Sequence, residues 1–152
     1  MSKIIISDTS CLIALDRIGR LDLLQKIFTN VYTTKIIALE FEENLPDWII
    51  IKDVADLDKI EQLKVTLDPG EASAITLALE TENSVLIIDE KKGRKVAVSL
   101  NIAIIGTLKV LLIAKNRGFI VSVKEIVNEM QYYSFRFSKT VVDEILSLAG
   151  DL

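Results

Sequence analysis

Four acidic residues stand where a carboxylate can do chemistry. Asp8 closes the run Ile4-Ile5-Ile6-Ser7, and Asp89 follows directly on Val85-Leu86-Ile87-Ile88. Glu71 precedes Ile75 by four residues and Ala78 by seven, and Glu40 follows Ile36 by four and Ile37 by three. On helices both would share a face with apolar positions and point toward the sheet. A carboxylate turned toward an apolar layer is costly without a cation or donors, and several at one rim repel without a metal. Hard oxygen donors select Mg²⁺ or Mn²⁺, the ions that activate water and neutralise phosphate charge in phosphodiester hydrolysis.

Each acid also has a plainer reading. Asp8 can simply cap the helix that follows, Asp89-Glu90 can be a polar turn, and Glu40 can belong to a solvated face with Glu42 and Glu43. Asp68 to Glu71 has capping-box spacing, with Asp as the cap and Glu reaching back.

Composition narrows the chemistry. The 152 residues contain no histidine, which removes Ser-His-Asp and Cys-His nucleophile systems and His-ligated zinc together. Carboxylates, hydroxyls, Lys, Arg or a bound ion must then serve. Thr9 and Ser10 read as caps rather than nucleophiles, since no base is present to activate them. Cys11 is the lone cysteine and cannot form an internal bridge, in keeping with a reducing compartment. No Gly-rich phosphate loop is present, against P-loop nucleotide hydrolysis. A net charge of −4 excludes a uniformly basic nucleic-acid surface and leaves room for a local basic strip. No apolar run approaches the roughly 20 residues that span a bilayer, and the opening run is too short for a signal peptide. The expectation is a soluble, cytoplasmic protein.

The elements that must position these acids alternate along the chain, as in βα units. Lys3 to Ser7 reads as a buried strand, and Asp8-Thr9-Ser10 opens a helix stopped by Gly19. A helix over Leu21 to Phe28, a strand at Val31 to Thr33 and a helix over Thr34 to Glu43 follow, the last closed by Asn44 and Pro46. Trp48 to Lys52 is extended, Leu57 to Leu63 a polar-faced helix, and Asp68-Pro69-Gly70-Glu71 opens a helix to Glu82. Ser84 to Ile88 and Ile102 to Ile105 read as strands flanking a basic helix from Lys91 to Leu100. Gly106-Thr107 leads a helix through Asn116, and two helical pieces from Ser122 meet at the aromatic joint Tyr132, Tyr133, Phe135 and Phe137. No repeat or linker interrupts this pattern, so residues 1–152 read as one domain. Continuous apolar strands separated by helices imply a mostly parallel sheet covered on both faces, with ligands beyond the strand carboxyl ends. Asp8 and Asp89 would share that rim.

The ordered set Ile5-Ile6-Ser7-Asp8-Thr9-Ser10, Ile18-Gly19-Arg20-Leu21-Asp22-Leu23-Leu24, Leu67-Asp68-Pro69-Gly70-Glu71-Ala72, Ile87-Ile88-Asp89-Glu90-Lys91-Lys92-Gly93-Arg94 and Ile105-Gly106-Thr107-Leu108 resembles the PIN-domain nucleases, in particular the prokaryotic VapC-like branch. The resemblance covers nearly the whole chain. It implies a three-layer α/β/α sandwich in which Asp8, Glu40, Glu71 and Asp89 hold one or two Mg²⁺ or Mn²⁺ ions. It also implies polar lining from Thr9, Ser10 and Thr107, which could orient a ligand, water or phosphate. Lys109 departs from the branch, which usually continues Gly-Thr-Leu with another glycine.

The resulting expectation is an endoribonuclease that hydrolyses RNA with a metal-activated water and no covalent intermediate. Lys91, Lys92 and Arg94, close after Asp89, would meet the RNA backbone, against the plainer reading of a solvated helix face. The resemblance further implies the toxin of a type II toxin–antitoxin pair, a homodimer held inactive by a small antitoxin, with no membrane. Apolar surface near Trp48 or the aromatic joint could serve these contacts, although core packing accounts for most such rings. The rivals are a catalytically weak PIN-like adaptor and an α/β phosphotransfer enzyme using Asp8 as nucleophile.

Overall fold

The computed structural model describes residues 3–152. Strands and helices alternate as β1 (Ile4–Ser7), α1 (Thr9–Arg17), α2 (Leu23–Ile27), β2 (Asn30–Thr34), α3 (Lys35–Phe41), β3 (Ile49–Lys52) and α4 (Leu57–Leu63). They continue as α5 (Pro69–Glu80), β4 (Ser84–Ile87), α6 (Lys91–Ser99), β5 (Ile104–Ile105), α7 (Thr107–Asn116), α8 (Val123–Tyr132) and α9 (Lys139–Ala149). The strands form an all-parallel sheet in the order β3-β2-β1-β4-β5.

Successive residues of a strand point to opposite faces. Ile5 and Ile6 of β1 are both buried, as are Leu86 and Ile87 of β4, so helices cover the sheet on both sides. α5 lies against β1, β2 and β4 with α3 and α4 beside it. α2 lies against β2, α7 packs on α2, and α8 packs on α1 and α7. This is the expected α/β architecture.

The edges depart from the sequence pattern. β3 has only Ile49 buried, with Ile50 and Ile51 exposed, because an edge strand has a neighbour on one side alone. β5 is two residues long rather than four, pairing Leu86 with Ile104 and Ile87 with Ile105. α3 stops at Phe41 because Glu42 turns left-handed at φ 69°, short of the expected Glu43. α5 stops at Glu80 rather than Glu82, where Thr81 becomes extended and its hydroxyl donates to the Leu77 carbonyl.

Chain direction through the sheet reverses at its centre. β1 to β2 to β3 runs one way, and the next strand returns to the other side of β1 as β4. That reversal opens a crevice beyond the carboxyl ends of β1 and β4, where parallel sheets place their ligands.

The C-terminal helices close the structure through one clasp. Lys115 on α7 reaches the Ala149 carbonyl and the Asp151 carboxylate, and Asp151 also accepts from the Val123 amide at the head of α8. Between α8 and α9, Phe135 and Phe137 pack against the core. Tyr132, 83% exposed, and Tyr133 meet edge to face outside it. Trp48 is half-buried against the core. Among the described residues no helix is long and apolar enough to cross a membrane.

Candidate active site

Asp8 stands at the crevice because β1 ends one residue before it and α1 begins one residue after. It caps α1, accepting from the Cys11 amide at 2.9 Å, and is only 4% exposed. Its second oxygen faces the Asp89 amide at 3.4 Å. The capping reading of Asp8 is therefore correct as far as it goes. A carboxylate has about four lone-pair sites, however, and this one is deeper than a cap requires. Burial, together with the negative charge of Asp89 and more weakly that of Glu71, pushes its pKa up to about 8. The neighbouring Cys11 thiol is pushed well up by the same burial and by Asp8 and Asp89, so it is no thiolate nucleophile.

Asp89 is fixed from the end of the neighbouring strand β5. The N-cap of α7 is Gly106, which has no side chain to give, and Asp89 takes its place. One carboxylate oxygen accepts from the Thr107 amide at 2.8 Å and the other from the Thr107 hydroxyl. Thr107 is 1% exposed, so it positions Asp89 rather than offering a free hydroxyl to a ligand. A Cβ at position 106 would lie 2.9 Å from Asp89 Oδ1 and 3.2 Å from Arg94 Nη1, and glycine there leaves both groups room.

Glu71 occupies the first turn of α5, where Asp68 caps its amide at 2.8 Å. Burial and the Asp68 carboxylate, with Glu90 adding to them, push Glu71 up to about 7. Its Oε2 would be 3.0 Å from a Cβ at Gly93, which places the carboxylate against the first turn of α6. Glu71 lies near enough to Asp8 for its charge to add, last among the causes, to the rise of the Asp8 pKa.

Glu40 differs from its expected orientation. Ile37 and Phe41, four residues apart, take the buried stripe of α3, so Glu40 is left at its border and is exposed. Its carboxylate lies over Gly70, where any Cβ would collide with it, and accepts from the Thr9 hydroxyl at 3.4 Å. Burial and the nearby Asp68 raise its pKa, while Thr9 opposes the rise. A buried hydrogen bond of 2.7 Å between Thr34, the cap of α3, and Ser73 of α5 ties together the two helices that carry Glu40 and Glu71. Ser10 is exposed in the first turn of α1.

The basic strip divides. Lys91 and Arg94 line a groove beside Asp89, with one arm of Arg94 anchored on the Ile88 carbonyl at 2.7 Å. Lys92 and Lys95 are exposed and do not line it. Sequence reasoning missed Arg136 as a lining cation and had noted Lys109 only as a departure. It also missed the glycines that make space for carboxylates. Their only signal was adjacency to the acidic motifs, as in Gly70-Glu71 and Gly106-Thr107.

The acids are oxygen donors throughout, which suits a hard divalent ion. Among the described residues no three acidic or thiol side chains are gathered closely enough to hold an ion alone. Mg²⁺ seldom needs such a cage, since it usually keeps several waters and binds through one or two carboxylates plus substrate phosphate. Asp8 and Asp89, adjacent and of like charge, fit that requirement.

A family model described as a PIN domain matches residues 4–151. The chain belongs to the PIN-domain family. PIN domains are generally nucleases, and PIN nucleases generally use divalent metals. No curated protein matches this PIN domain.

Proposed function

We propose that this PIN domain is a metal-dependent endoribonuclease with Asp8, Glu40, Glu71 and Asp89 as its acidic site. The supporting observation is Asp8, a buried carboxylate bearing the charge of Asp89 at the sheet's reversal point. That arrangement is unfavourable until a cation joins it.

Asp8 and Asp89 would hold Mg²⁺ or Mn²⁺, with Glu71 and Glu40 completing the acidic surround. When bound, the ion lowers the pKa of water and neutralises charge on the transferring phosphate. The chain's own groups supply orientation. The Cys11 and Asp89 amides aim Asp8, and the Thr107 amide and hydroxyl aim Asp89. Such fixed donors keep the carboxylates from rearranging as the ion arrives.

The same proposal includes the VapC-like role: a cytoplasmic toxin that forms a homodimer and is silenced by a small antitoxin. Exposed apolar side chains such as Leu39 and Tyr132 offer surface for these contacts. Co-purification with the product of a neighbouring small reading frame, and light scattering of the chain alone, test these two parts.

The central test is a Mn²⁺ titration by calorimetry of the native chain beside Asp8→Asn and Asp89→Asn, followed by RNA cleavage with and without the ion. Binding and cleavage lost in both variants are expected. A native protein that neither binds Mn²⁺ nor cuts RNA would leave the adaptor reading in its place.

A further inference from the structure

We infer that Thr34 and Ser73 are positioning residues for Glu40: a buried one-way chain of hydroxyls ties the helix that carries Glu40 to the turn on which its carboxylate rests. This role rests on the ribonuclease reading of the four acids and adds to it two residues that carry no charge.

The direction of the chain follows from counting protons. The Ile37 amide donates to Thr34 Oγ1 at 3.1 Å, and the Ser73 hydroxyl donates to the Gly70 carbonyl at 2.8 Å. A carbonyl only accepts and a hydroxyl has one proton, so Ser73 has none left for Thr34. The 2.7 Å contact between the two hydroxyls is therefore donated by Thr34. The chain runs from the Ile37 amide through Thr34 and Ser73 to the Gly70 carbonyl. Thr34 is 1% exposed and Ser73 fully buried, so water cannot stand in for either.

Both ends of the chain bear on Glu40. Ile37 lies three residues before it on α3, a helix of seven residues that is too short to hold its own orientation. Gly70 lies directly under the Glu40 carboxylate, and fixing its carbonyl fixes the peptide plane there. The direct donor to the carboxylate is the Thr9 hydroxyl at 3.4 Å, a long contact, so the backbone beneath decides where Glu40 stands.

The other buried hydroxyls show the same habit. Thr33 donates to the Ser7 carbonyl, Ser7 to the Asp8 carbonyl and Thr107 to the Asp89 carboxylate. Among the described residues, Thr76 alone of the buried hydroxyls serves only its own helix, donating to the Ala72 carbonyl at 2.8 Å.

Single-turnover RNA cleavage with Mn²⁺ at saturating RNA, by the full chain and by Ser73→Ala, Thr34→Val, Thr34→Ser and Thr76→Val, tests this role. Ser73→Ala keeps the Thr34 cap on α3 and cuts only the link to Gly70. It and Thr34→Val are expected to lower the rate about 10-fold, as loss of an outer partner of a metal site does, with RNA affinity in EDTA unchanged. Thr34→Ser keeps the hydroxyl and should recover most of the rate. Thr76→Val removes a buried hydroxyl from the same helix and should leave the rate native. Circular dichroism melts check that each variant is folded at the assay temperature.

Positioning through Glu40 also predicts non-additivity. On a Glu40→Gln background the 10-fold loss from Ser73→Ala should not recur. A full loss on that background would overturn the role, because Ser73 would then support the fold rather than Glu40. A native rate in Ser73→Ala, while the native chain cuts RNA, would overturn it too. A native chain that neither binds Mn²⁺ nor cuts RNA would instead remove the ribonuclease reading, and this role with it.

Discussion

The acidic rim and the cationic groove adjoin at Asp89 but are built on opposite principles. At the rim, carboxylates are drawn from strand ends and helix starts into a place where burial and mutual repulsion raise Asp8 to about 8 and Glu71 to about 7. In the groove, cations from α6, α7 and the α8–α9 joint surround an apolar floor. The rim is electrostatically incomplete by itself, whereas the groove is ready to receive an anion. On the proposed reading the rim would take the cation and the groove's lysines and arginines would meet the RNA backbone.

The largest expected effect would break that division or establish it. Asp89→Asn should lower single-turnover RNA cleavage about 10³-fold, since metal-based charge stabilisation is worth several kcal/mol. In EDTA it should leave single-strand affinity native or tighter, since Asn removes a negative charge from the end of the groove. Lys109→Ala/Arg136→Ala should do the reverse, raising KM with kcat nearly unchanged. If Asp89→Asn weakens binding as much as it slows cleavage, rim and groove are one functional unit and the comparison fails.

A second effect concerns the rim alone. Asp8 holds its proton to about 8 in the folded chain against 3.8 as the ordinary value, because of burial and then the Asp89 charge. Below the ordinary value both states are protonated and the group does not affect stability. As pH rises from there, the unfolded chain releases the proton and the folded one retains it, so stability falls until about pH 8 and then levels off. Glu71 acts with the same sign up to about 7. Metal-free protein should therefore melt about 5 °C or more lower at pH 8 than at pH 5. Mn²⁺ should restore the difference at pH 8, and Asp8→Asn should remove most of it without metal. A melting temperature that is flat with pH in EDTA would mean that Asp8 is already compensated and needs no cation.

These two regions were not equally legible in the sequence. β1, α4 and α7 could be read because apolar runs and caps are local signals, and Asp8 and Asp89 because the ends of parallel strands must share a rim. The cap that Asp68 places on the Glu71 amide followed from capping-box spacing. The exposure of Glu40 did not follow from spacing, because Ile37 and Phe41 rather than Ile36 and Ile37 take the buried stripe of α3. Thr107 was visible as a polar position, but its use by Asp89 is a contact between residues 18 apart in the chain. The groove was the least legible part. Lys109, Arg136 and Phe137 meet only because α9 packs on α7, and no periodicity encodes that meeting.

The smallest effect is the sharpest test of how the groove is drawn. Lys91 and Lys92 are adjacent, equally charged and both exposed at the start of α6, so a strip read from sequence treats them alike. In the fold Lys91 lines the groove with Arg94, three residues on and therefore on the same helical face, while Lys92 does not line it. A lysine that contacts a phosphate of single-stranded RNA contributes about 0.7 to the log–log salt slope. Lys91→Ala should reduce the slope by that amount and Lys92→Ala should leave it unchanged, in a fluorescence anisotropy titration with single-stranded RNA in EDTA. Equal losses would show that α6 acts through diffuse charge, and the grip would then belong to the helix as a whole rather than to the wall that Lys91 and Arg94 form.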